Sequence, residues 1–408
     1  MTGTAPSLTY VETAQRQRRI KLGLFLVSLA LSTMAFLSFD WVYSAADERA
    51  RKAPGLQGSC RVPDPVRIHG LKPNCACVDS WGTDSYQFFT NSLGFRDEKI
   101  REVPLADASP RILMLGDSFT EAPIAWSDSY VGRIAAHLPQ YHFLNGGVGS
   151  YSTSNYLNTA RMVLARGVDI DEVIVFLDIS DVQYEASYYR DVDASGAVTG
   201  PKWTSNLRSY LRKQFAKHFV VSNDLLEFFE WHLLGKGHYY LTVKQQVDMG
   251  FVFDADRSAW TYRKVSERYP WPGGFAPLGV EGGIAREKAK MDLLWQELHK
   301  RNIPISVVVY PYPAQVVHDT ADSRQVRIWR DWCEGKCKRF ISLFPAFLEV
   351  KDQCPPAEPD CWYKRYFVFG DFHYNAAGNA LVADGVIKSL TEEPPVKRPG
   401  AGQGAPAQ

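Results

Sequence analysis

The chain has 408 residues, 45% of them hydrophobic and 22% charged, with a formal net charge of +1. That is the balance of a globular protein, with length for one large domain plus insertions or for two domains. A charge so near zero excludes recognition of nucleic acid or another polyanion through a broad basic field.

Near the N-terminus RQRRIK (Arg16 to Lys21) precedes LGLFLVSLALSTMAFLSF (Leu22 to Phe39), an uncharged run of about 18 residues, or ~27 Å as a helix. The run predicts a single transmembrane segment over residues 22–39. Arg16, Arg18, Arg19 and Lys21 would keep residues 1–21 on the cytoplasmic side of an inner membrane, with everything after Asp40 across it, in a bacterium the periplasm. The competing reading is a signal peptide cleaved near Ser44-Ala45-Ala46. The apolar core of such a peptide is typically only ~7–15 residues, which favours an uncleaved anchor.

Residues 40–105 read as a stalk and an approach to the main domain, with Pro63, Pro65 and Pro73 limiting regular structure. The seven cysteines fit export. Their spacing lacks a CxxC pattern, and no histidine sits at ligand distance, so disulfides are expected and a metal is not. The expected pairs are Cys333–Cys337, Cys354–Cys361, and Cys60 with either Cys75 or Cys77, which leaves one cysteine over.

From residue 106 a repeating pattern begins. RILML (111–115), YHFLN (141–145), VIVFL (173–177) and ISVVVY (305–310) are the short apolar runs of parallel strands covered on both faces. Helices are expected between them at 127–138, 153–166 and 284–301, the last ending before Pro304. The alternation implies an α/β fold, a three-layer α/β/α sandwich around a parallel sheet, over residues 106–391. Between about 183 and 283 an aromatic-rich helical insertion interrupts it. That insertion includes SNDLLEFFEWHLL, opened by an N-cap at Ser222 or Asn223. GGFAPLGVEGG (273–283) reads as a flexible connection, and residues 392–408 as a disordered tail.

Function in an open parallel sheet gathers beyond the carboxyl ends of the strands. Those ends read Gly116-Asp117-Ser118, then Asn145-Gly146-Gly147-Val148-Gly149-Ser150, then Asp178-Ile179-Ser180-Asp181; near the end of the chain comes GDFHYNAAGN, Gly370 to Asn379. Asp178 and Asp181 are expected to cap the strand end, and YPYP (Tyr310 to Pro313) to form a rigid wall of the cleft. A serine hydroxyl becomes a nucleophile when a histidine takes its proton, and the histidine works best with its other nitrogen held by a carboxylate. Asp371 stands two residues before His373, so one loop can supply both.

On these residues the chain resembles the SGNH (GDSL-like) hydrolase superfamily over roughly Pro110 to Leu390, and is similar to the exported SGNH acyltransferases of alginate acetylation. GDSF matches the first block and DFHYNAAGN the last; TNSLGF (Thr90 to Phe95) with Arg96 and Asp97 is similar to what precedes the serine block in exported members. The resemblance implies a flavodoxin-like SGNH sandwich with Ser118 as nucleophile, His373 as base and Asp371 as its orienting acid. It also implies oxyanion donors at Ser118 and the second-block turn. There Ser150 falls where the family has glycine, with Gly149 adjacent; Ser180 stands in the place of the third block's asparagine. No cofactor and no metal are implied. Three functions follow as expectations. The first is an anchored, exported serine esterase removing acyl, above all acetyl, groups from a carbohydrate or lipid. The second is an O-acyltransferase acting on an envelope polysaccharide with a membrane-bound acyltransferase partner. The third is an inactive SGNH-like binding or scaffold domain.

Overall fold

The computed structural model describes residues 8–51, 59–81, 84–188, 277–368 and 371–398, with parts of 215–229. Most of the expected aromatic insertion therefore lies outside the described residues. The chain divides into two compact units, Met1–Ala53 with Trp203–Gly237, and Pro54–Lys202 with His238–Gln408.

The first unit is built on helix α1 (Leu8–Arg51). Its stretch Arg16–Ala46 is long and apolar enough to cross a membrane, with a mean hydropathy of 2.1 and none of its most apolar stretch buried. Asp40, with no exposed surface, and Ser44 are the exceptions among its described side chains. The Asp40 carboxylate accepts from the backbone N–H groups of Val221 (2.9 Å) and Ser222 (2.7 Å), and Ser44 Oγ accepts from Val220 N–H (2.9 Å). Residues 220–223 are already helical. The expected N-cap at Ser222 or Asn223 is thus corrected: the helix begins earlier, and side chains of α1 satisfy its first amides.

In the second unit the strands β1 (Arg61–Asp64) and β2 (Ile68–Leu71) form a small hairpin. The other strands among the described residues form one mixed sheet. These are β3 (Ala76–Trp81), β4 (Asp84–Thr90), β5 (Arg96–Asp97), β6 (Arg111–Leu115), β7 (His142–Asn145), β8 (Glu172–Leu177), β9 (Ile305–Val309) and β10 (Cys337–Ser342). Its spatial order is β10-β9-β8-β6-β7-β5-β4-β3. From β10 to β7 every pairing is parallel. Counted from β6, the parallel strands run 2-1-3-4-5, the flavodoxin-like order, with its switch point between β6 and β8. The four apolar runs expected as strands are β6 to β9. Their alternate residues feed two cores: Leu113, Val175 and Val307 face one way, Ile112, Ile174 and Val308 the other. Helices α4 (Thr153–Ala165), α6 (Gly279–His299) and α8 (Arg324–Cys333) cover the first face. The second is covered by α3 (Tyr130–His137) and α11 (Ala376–Glu392). Between α4 and α6 lies the short α5 (Ser180–Gln183); α7 (Pro313–His318) follows β9, and α9 (Phe344–Asp352) and α10 (Cys361–Tyr366) follow β10.

Four features differ from the sequence expectation. The sheet is mixed, because β5, β4 and β3 extend it antiparallel beyond β7. Residues 61–97, expected as a loop-rich approach, thus supply five strands, Pro63 being accommodated in a two-stranded edge hairpin. Gly279–Gly283, expected in a flexible connection, open α6, and a side chain at Gly283 would meet Val182 O at 2.5 Å. The start of the tail is held: Lys397 Nζ pairs with Asp169 and Asp171, and Arg398 N–H donates to Asp171 (2.8 Å). Residues 399–408 lie outside the described residues.

Candidate active site

Strand β6 delivers Gly116-Asp117-Ser118 to the carboxyl edge of the sheet. A methyl on Gly116 would lie 1.9 Å from Thr120 Oγ1, so only glycine lets the chain turn that tightly into α2 (Ser118–Glu121). Asp117 caps this turn, its Oδ1 accepting from Phe119 N–H at 2.9 Å. Capping is done, and the next hydroxyl is left for other work. Ser118 Oγ lies 2.8 Å from His373 Nε2 and a looser 3.4 Å from Asp117 Oδ2.

His373 comes from the loop ahead of α11. Asn375 caps that helix, accepting from Ala377 and Gly378 N–H. Asp371 fixes the imidazole, with Oδ1 at 2.6 Å from Nδ1 while accepting from the His373 backbone N–H at 2.8 Å. This assigns the proton to Nδ1 and leaves Nε2 as the acceptor facing Ser118. Tyr363 steadies the loop by donating to the Asp371 carbonyl (2.7 Å). The ring of Phe119 packs on His373, Tyr310 and Tyr312, so YPYP supplies a buried wall. Burial alone would push the Asp371 carboxyl up, but the His373 charge, the His373 hydrogen bonds and the Trp81 N–H outweigh it and hold it below the ordinary carboxylate range.

The structure brings Ser118, His373 and Asp371 together and places the remaining expected site residues differently. Gly149 borders the nucleophile, since a methyl there would sit 3.7 Å from Ser118 Cβ. Its amide, however, donates to Glu121 Oε2 at 2.5 Å, so Gly149 as an oxyanion donor is corrected: a buried carboxylate competes for that N–H. Ser150 holds a left-handed backbone (φ 63°) on the same turn. Ser180 is seated on Asp178, its N–H at 2.6 Å from Oδ1 and its hydroxyl shared with Asp178 and Tyr312, rather than on Ser118. Asp181 caps the strand end as expected, accepting from Asp178 N–H at 3.1 Å. Below the nucleophile, Tyr310 bridges Asp117 and Asp178, 3.3 Å from each. Burial, then the neighbouring Asp178 charge, pushes the Asp117 carboxyl well above the ordinary carboxylate range.

Sequence reasoning missed Arg61, Glu121 and Trp81. Arg61 grips both oxygens of Glu121 (2.5 and 3.1 Å) and reaches Asp79 (3.2 Å). Burial would raise the Glu121 carboxyl, but Arg61 holds it below its ordinary value. Trp81 Nε1–H donates to Asp371 Oδ2 at 2.8 Å. Arg61 and Trp81 lie on strands of local antiparallel hairpins, but the side chains they meet, Glu121 and Asp371, are 60 and 290 residues away, which leaves no local signal.

As to metals, the single His/Cys/Asp/Glu group among the described residues with ligand atoms close enough for an ion is Cys60, Cys75 and Cys77. Cys60 and Cys75 are joined as a disulfide, which leaves one buried thiol, Cys77, that burial pushes up. Cys333–Cys337 and Cys354–Cys361 also pair as expected.

No family model and no curated protein matches the chain. Solved structures do. An α/β hydrolase enzyme from the metagenome of Lake Arreo is 12% identical, with 71% of this chain and 98% of that one covered and a TM-score of 0.35. A GDSL-like lipase from Bacteroides thetaiotaomicron is 8% identical (69% and 88% covered, TM-score 0.31). The SGNH-hydrolase family esterase AlinE4 is 14% identical (71% and 100% covered, TM-score 0.30). These are what the chain is similar to; its fold follows from its own 2-1-3-4-5 strand order.

Proposed function

We propose that the chain is a serine ester hydrolase. The observation that carries this reading is the relay itself, Ser118 Oγ to His373 Nε2 at 2.8 Å and His373 Nδ1 to Asp371 at 2.6 Å. Ser118 Oγ attacks the acyl carbonyl as His373 takes its proton; His373 returns that proton to the departing alkoxide. Water, deprotonated by the same nitrogen, then releases the acyl group. The backbone N–H of Ser118, in the first turn of α2, is the oxyanion donor we assign.

The substrate we propose is a short acyl ester, acetyl above all, on a carbohydrate. Phe372 supports this, with 36% of its surface exposed beside the histidine, where a sugar ring can stack. An extracytoplasmic site on an inner-membrane anchor is supported by α1, by the cluster from Arg16 to Lys21, and by three disulfides.

The test is fluorophosphonate labelling of the detergent-solubilised full chain beside Ser118→Ala and His373→Ala, with turnover of an activated acetyl ester in parallel. Wild type labels and neither variant does; turnover falls by about 10⁴-fold or more in both. Labelling that persists in Ser118→Ala places the nucleophile elsewhere. A folded wild type that neither labels nor turns over defeats the esterase reading.

A further inference from the structure

The Asp371 carboxylate has two oxygens and two kinds of partner. Oδ1 takes the imidazole and the His373 amide. Oδ2 takes the indole N–H of a residue 290 positions away, at 2.8 Å. The same indole meets the His373 ring edge-on, with centroids 4.9 Å apart and planes at 80°. Trp81 is the last residue of β3, paired across the sheet edge with Asp84, and is partly exposed, so its packing contributes little to the core.

We infer that Trp81 is a positioning residue for the proposed reaction: its N–H fixes the Asp371 carboxylate in the one rotation that presents Oδ1 to His373. A carboxylate is free to turn about its terminal bond, because that torsion is broad and roughly two-fold. The His373 contacts secure one oxygen only. With Oδ2 also held, the plane of the carboxylate is set, and the imidazole plane follows from it. Among the described residues, the side chains that hydrogen-bond to the Asp371 carboxylate are His373 and Trp81, and Tyr363 donates to its backbone carbonyl. Trp81 therefore acts through Asp371 and touches neither the attacking oxygen nor the departing group. The inference rests on the esterase reading for its kinetic test but not for its spectroscopic one.

Two substitutions separate the N–H from the ring. Trp81→Phe keeps an aromatic ring and removes the donor. Trp81→His puts an N–H at the same place in a five-membered ring and removes the benzo half. In the full chain, Trp81→Phe lowers kcat about tenfold with KM little changed, the cost of one charge-assisted hydrogen bond. It also moves the acid limb of kcat/KM to higher pH, because a carboxylate that no longer shares its charge with the indole holds the proton on the imidazole more firmly. Trp81→His recovers kcat to within about threefold and returns the limb. Equal loss in both variants with an unmoved limb, or a Trp81→Phe protein indistinguishable from wild type, overturns the inference. If wild type hydrolyses no ester, the esterase reading fails alone. The downfield proton resonance of His373 Nδ1–H then decides, needing no substrate: it shifts in Trp81→Phe and not in Trp81→His if the indole N–H sets the carboxylate, and staying put in Trp81→Phe overturns it.

Discussion

Asp117 and Ser118 divide two jobs that a glycine-aspartate-serine run leaves undivided in the sequence. The aspartate caps the turn and the serine faces the histidine. His373 and Asp371 were legible for the same reason as Ser118: each sits in a short local block whose residue types are tied to one chemistry. Trp81 was not legible, because what makes it matter is a partner 290 residues on. Glu287 is a residue whose consequence is thermodynamic. It is buried, and neither carboxylate oxygen has a hydrogen-bond partner among the described residues. Burial first, then the charges of Glu185 and Asp178, push its pKa well above 4.5. A raised folded-state value means that its contribution is fully present below the unfolded value and is lost as pH climbs through the folded one. Glu287→Gln is therefore expected to match wild type in melting temperature at pH 4.5 and to exceed it increasingly as pH rises above that. A gap that does not widen with pH, read by calorimetry across that range, defeats this account.

Among the elements, β6 to β9 were readable because a strand buried on both faces is apolar along its whole length. Strand β10 escaped notice: it is an edge strand, CKRFIS, with mostly half-buried residues. β3 to β5 escaped because antiparallel pairing leaves only weak alternation, and the join to the parallel core is the single pair Arg96↔Asn145. What reinforces that join is the Arg96 side chain. Fully buried, it donates to the carbonyls of Glu121, Ala122 and Ile124 while lying over the rings of Phe88 and Tyr86 (5.1 and 5.4 Å). A planar fork does this and an ammonium does not. Arg96→Lys is expected to destabilise the fold by about 2–4 kcal/mol and to lower turnover, because the stretch it pins follows directly on Ser118. Denaturant melts and kinetics on one preparation check both, and an unchanged midpoint refutes the claim.

At the scale of the whole molecule, the three-layer sandwich, the apolar N-terminal helix and the disulfides were legible, from the strand ends, the N-terminal run and the cysteine spacing. The extent of the sheet was not, since composition carries no record of which distant segments pair. The disulfides make a countable prediction. Seven cysteines forming Cys60–Cys75, Cys333–Cys337 and Cys354–Cys361 leave Cys77 alone. Oxidised protein is expected to yield one thiol per chain after denaturation and none readily before it, by titration with a thiol reagent. A reading of three or more denies that the pairs form.

The two contacts that make the site span the chain: Ser118 reaches 255 residues forward to His373, and Trp81 reaches 290 to Asp371. Synthesis runs from the N-terminus, so Ser118 leaves the ribosome long before His373, its base in the proposed reaction. Throughout that interval the nascent chain carries an ordinary, unreactive hydroxyl. In the proposed reaction, reactivity arrives only when the segment carrying His373 folds against the first strands, so a truncated or stalled product is expected to be chemically silent rather than indiscriminate.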